Sequence, residues 1–174
     1  MADRGYRGRP QRGERADRQI NAGHSRGLDA ALSDAEAKIR KLKTERIYAF
    51  NKDGKEIAHS QTGKAHSTQL PFGYNYKDAI ITHNHPNRGI GDTIAGRVGT
   101  ILSGADIFTT IAHNASEIRA VTKNYTYSLK RPSKGWGLSE SDAWDVFGKK
   151  NSNGDEPFSK NRQSIFQRAE YEIE

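Results

Sequence analysis

The sequence contains no cysteine. That excludes disulfides, thiolate metal sites and a cysteine nucleophile, so any metal must be held by His, Asp or Glu. It leaves the compartment open. Apolar residues are scarce as well, at 33% with a mean hydropathy of -0.90. A sizeable part of the 174 residues is therefore expected to lie outside a packed core. No stretch approaches the roughly 20 apolar residues of a membrane span. The opening "MADRGYRGRPQRGERADRQ" lacks the apolar core of a secretory signal. A soluble protein made in the cytoplasm, without membrane contact, is expected.

Positive charge is plentiful. The formal net charge is +7 and the pI about 9.6, which permits a polyanionic partner without requiring one. Seven arginines (Arg4, Arg7, Arg9, Arg12, Arg15, Arg18 and Arg26) fall within 1–27 among Gly and Pro. That segment has too little apolar surface to offset its ordering entropy and is expected to be disordered. It reads as a solvated tail or linker; the alternative is a salt-sensitive arm that contacts nucleic-acid phosphates.

A domain over 28–131 follows, then a partly helical extension over 132–174. Leu28, Ala31, Leu32, Ala35, Ile39 and Leu42 stand at helical spacing, predicting a helix over 28–43. "RIYAFNKDGKEIAHS" predicts a hairpin turning at Asp53-Gly54. A polar loop over 59–77 is expected to hold a short strand near Gln69–Phe72. "DAIITH", 78–83, predicts a buried strand ended by Pro86. The glycines of 87–100 predict a flexible loop. Residues 103–114 predict a short helix with Ser103 as N-cap, Asp106 in its first turn and His113-Asn114 as its end. A second hairpin turns around Asn124-Tyr125, and helices are predicted over 139–148 and 159–172. Trp136 and Trp144 read as packing residues. The fold class is α/β: a curved, mostly antiparallel sheet flanked by helices.

The chemistry concentrates in "THNHP". On a strand, residues two apart share a face, so His83 and His85 present paired imidazoles while Asn84 faces away. Such a pair suits Zn²⁺, with Asp106 on the next helix as the natural third ligand and a fourth position left for water. Metal-assisted hydrolysis also needs a base beside that water, for which Glu45 at the start of the first strand is available. Ser103, one turn before Asp106, offers a hydroxyl for a developing oxyanion. His59 and His66, in the polar loop, are weaker candidates for the metal.

Glu45, His83-Asn84-His85-Pro86 and Ser103-x-x-Asp106 together resemble the JAMM motif of the MPN/JAB metalloprotease superfamily. "HNHP" is closest to the RadC-like branch and to related phage and mobile-element domains. The resemblance covers about 45–130 and implies a JAB/MPN-like, cytidine-deaminase-like architecture. It implies zinc on His83, His85 and Asp106, Glu45 as the base and Ser103 as an oxyanion donor. It further implies a zinc-dependent hydrolase acting on a peptide or isopeptide bond of a protein substrate, in a bacterial or phage-infected cell or on a virion. Family members place the Ser closer to the Pro; here sixteen residues, 87–102, intervene, which reads as a substrate-contacting flap. Two other classes are carried beside this one. One is a nucleic-acid-associated protein working through its arginine arm. The other is a phage structural protein with an inactive JAMM-like fold.

Overall fold

In the computed structural model, residues 23–61, 63–64, 68–86, 102–148 and 171–173 are described. The elements in chain order are α1 (Arg26–Ile39), β1 (Ile47–Phe50), β2 (Glu56–His59), β3 (Ile80–Asn84), α2 (Gly104–Ala112), β4 (Glu117–Val121) and β5 (Thr126–Lys130). They are followed by α3 (Glu140–Ala143), which continues as a π-helical turn over Trp144–Gly148, and by β6 (Tyr171–Ile173). The strands form one mixed sheet in the order β2-β1-β3-β4-β5-β6. Only the β3–β4 pairing is parallel. A helix, α2, connects those two strands, as parallel neighbours require a crossover.

Strict alternation along the strands sorts the side chains into two layers. Ile47, Ala49, Ile81, Ile118, Ala120, Tyr127 and Leu129 face Ile107 and Ile111 of α2, with Ala143 and Phe147 closing the same core. On the other face Phe50 and Ile80 meet Leu28, Leu32 and Ala35 of α1. Leu28 and Leu32 are fully buried, each worth about 1.5–3 kcal/mol. Helix α1 thus lies under the sheet and α2 over it, an α/β arrangement with the sheet mostly antiparallel.

Several sequence expectations shift. Helix α1 begins at Arg26, not 28, because the Ser25 hydroxyl accepts from Leu28 N; residues 23–27, assigned above to the arm, therefore belong to the domain. The helix stops at Ile39 rather than 43. The Arg40 guanidinium there donates to the carbonyls of Thr122 and Tyr125 and to Thr126 Oγ1, and Leu42 is left exposed. At Gly54 φ is +87°, and an added Cβ would lie 2.4 Å from the Gly27 carbonyl oxygen, so this turn needs glycine twice over.

Residues 69–72 form no strand. Pro71 has no N–H to offer a ladder, and its carbonyl accepts instead from the Tyr76 hydroxyl. Residues 171–172, placed at the end of a helix above, belong with 173 to β6, paired to the open edge of β5. Residues 159–170, the 87–100 loop, His66 and the arm up to residue 22 lie outside the described residues.

Candidate metal centre

The His strand is fixed from both sides. His83 is opposite Ile47 on β1 and Ala120 on β4, and the His85 N–H donates to the Val121 carbonyl at 2.9 Å. His83 is therefore held on a central strand, and His85, one residue past its end, is tied to β4. His83 is buried, while His85 and Asp106 remain partly exposed, with side chains 15% and 19% accessible. Access to the centre thus runs over His85 and Asp106.

Asp106 reaches the pair from above through its place in α2. The Ser103 hydroxyl accepts from Asp106 N at 3.2 Å and Asp106 Oδ2 accepts from Ser103 N at 2.7 Å, a reciprocal capping box. The cap orients the carboxylate: Oδ1 lies 3.3 Å from His83 Nε2 and Oδ2 3.7 Å from His85 Nε2. Burial alone would push this carboxyl up, but the His83 and His85 imidazoles hold it well below the usual carboxylate range. It is the anion of the cluster.

The two Nε2 atoms stand 2.9 Å apart. Nitrogens bound about 2.05 Å from one tetrahedral zinc stand about 3.3 Å apart, so a small adjustment would seat a cation. One ligand atom from each of His83, His85 and Asp106 can be chosen with all three within 4.8 Å of one another; no other such group of three or more His, Cys, Asp or Glu occurs among the described residues. The donor set of two imidazoles and a carboxylate suits zinc and other divalent transition metals alike. His83 Nδ1 is buried and has no hydrogen-bond partner among the described residues. No described neighbour therefore fixes the tautomer that would leave Nε2 free to ligate.

Glu45 is buried and lies two residues before Ile47, the register partner of His83. The ladder continues through the Asn84 N–H to the Arg46 carbonyl, 3.2 Å. Counted on from that register, Glu45 falls opposite His85. Ser103 is half-buried; as N-cap its oxygen accepts, which leaves its proton free to be donated. His59 is directed elsewhere: it shares a face with Tyr48, stacks on it, and pairs with Glu56 through Nδ1 at 2.5 Å.

Sequence reasoning passed over Asn84. Fully buried on the opposite face, its Oδ1 accepts from Arg46 N at 2.7 Å and its Nδ2 donates to the Thr44 carbonyl at 3.1 Å. The carboxamide grips the backbone on both sides of Glu45 and ties it to the histidine strand. The only available signal was an Asn in an apolar strand, where that residue is depleted. No family model, no curated protein and no solved structure matches this chain.

Proposed function

We propose that the chain is a metal-dependent hydrolase of JAMM type, using zinc and acting on a peptide or isopeptide bond. The observation that supports this reading is the convergence of His83, His85 and Asp106 at one point on the α2 face. A bound zinc would acidify a water and polarise the substrate carbonyl.

The protein groups supply the rest. Glu45, opposite His85 in register, accepts a proton from the attacking water and passes it to the leaving amine. The Ser103 hydroxyl, held at the start of α2, donates to the oxygen that becomes negative as the carbonyl is attacked. Asp106 would serve as the anionic ligand beside the two neutral imidazoles.

Metal analysis and a peptide-cleavage assay on purified variants test the proposal. His83→Ala or Asp106→Ala is expected to abolish tight zinc binding. Glu45→Gln is expected to keep about one zinc per chain and to lose hydrolysis. Stoichiometric zinc retained by the His83→Ala/His85→Ala double variant would overturn the site.

A further inference from the structure

The end of the sheet from which His85 emerges gathers cations from three separate parts of the chain. Helix α1 ends there, pinned by Arg40 to the β4–β5 turn, and brings exposed Lys38, Lys41 and Lys43. The same turn carries exposed Lys123. Arg46, half-buried, flanks Asn84. Exposed Lys64 follows β2 and is held to the Glu45 N–H through its own carbonyl at 2.9 Å.

Among the described residues none of Lys38, Lys41, Lys43, Lys64 or Lys123 makes an ion pair. Within 37–46, 63–64 and 122–125 the one carboxylate is the buried Glu45, and exposed Asp34 stands one helical turn before Lys38. The opposite end of the sheet is mixed. Asp29 in the first turn of α1, Asp53 in the β1–β2 turn and Asp78 before β3 lie there beside Lys52, Lys77 and Arg131, and Arg131 pairs with Asp78.

We propose that this collar docks an acidic stretch of polypeptide next to the bond to be cleaved, making the substrate class of the proposed hydrolase an acidic protein segment. The inference rests on that reading for the word substrate, but not for the docking. A helix dipole favours cations in a last turn and so accounts for Lys38, Arg40 and Lys41. It does not account for Lys64 and Lys123, which belong to other connections. Cations in excess over the neighbouring carboxylates among the described residues repel one another, and an acidic partner relieves that repulsion while being steered to the centre.

Nucleic acid is the less favoured polyanion. A single strand is held by successive aromatic platforms, and the collar offers one exposed aromatic, Tyr125. Its exposed cations are all lysines, point charges without the planar fork that reads phosphate bidentately.

The test is fluorescence anisotropy on the full chain with three probes: a Glu-rich peptide, a neutral Ser/Gly peptide and a single-stranded oligonucleotide. The Glu-rich peptide is expected to bind best and to weaken as salt rises. The Lys41→Ala/Lys43→Ala/Lys123→Ala variant should bind it about tenfold less tightly. Its zinc content and unfolding midpoint should be unchanged, since all three side chains are exposed. Equal affinity of wild type and triple variant would overturn the proposal. So would preference for the oligonucleotide that the triple variant loses. The His83→Ala/His85→Ala variant should still bind the acidic peptide. If it does while no peptide is ever cleaved, the docking surface stands and the hydrolase reading falls. If acidic and neutral peptides are cleaved equally well by wild type and triple variant, the reverse holds.

Discussion

At the scale of single residues, Asn84 separates positioning from ligation. Its amide spans Thr44 O and Arg46 N around Glu45 and points away from the histidines it lies between. Asn84→Ala leaves a buried carbonyl and N–H without that partner, a loss of about 1–3 kcal/mol in denaturant unfolding. Zinc stoichiometry is expected to persist while hydrolysis falls by on the order of 10²-fold, as a displaced base would produce. Loss of zinc alongside activity would mean that the amide serves the metal ligands instead. His83, His85 and Asp106 were legible from spacing because strand alternation and a helix cap are local rules. Asn84 was not, because the groups it binds lie 38 and 40 positions away.

At the scale of elements, α1 and the sheet are joined by a buried charged network that no sequence pattern announced. Arg119 on β4 holds Glu36 of α1 at 2.8 Å through Nε and at 3.3 Å through Nη2, and stands 3.5 Å from Glu117. Thr82 donates to Glu36, Ser128 to Glu117, and His24 Nε2 lies 2.7 Å from Glu117. Burial pushes Glu36 up despite Arg119. Glu117, also buried, is pulled down by His24 and Arg119. In the wild type, stability from Glu117 is therefore present above its unfolded value near 4.5 and is lost as pH falls further. Arg119→Met removes the cation shared by both carboxylates and is expected to cost about 3–5 kcal/mol at neutral pH. Glu36, which burial already pushes up, then loses the cation that opposes that push, so its contribution grows as pH is lowered from 7 towards 4.5, while His24 still opposes the effect of burial on Glu117. Denaturant melts at pH 7 and pH 5 decide it; a deficit against wild type that is no smaller at pH 5 would contradict the assignment.

For the whole molecule, a ligand that binds only the folded chain must raise its stability. Zinc at about 100 times its Kd is expected to add about 2.7 kcal/mol, a rise of about 5–10 °C in Tm for a chain of this size. Chelator should reverse the shift, and Asp106→Ala should not show it. An equal shift in that variant would move the metal to another place.

The elements α1, β1–β2, β3, α2 and β4–β5 follow from periodicity, turn residues and caps, all written within a few neighbouring positions. So do the histidine pair and the Ser103–Asp106 cap. The C-terminal end of α1 and the pairing of β6 with β5 were decided by tertiary contacts. So were the network around Arg119 and the lysine collar. Each joins groups far apart in the chain. In the network and at the sheet edge the energy of pairing a buried charge or an open strand outweighs local propensity, and the collar follows from the strand order that brings its connections to one end.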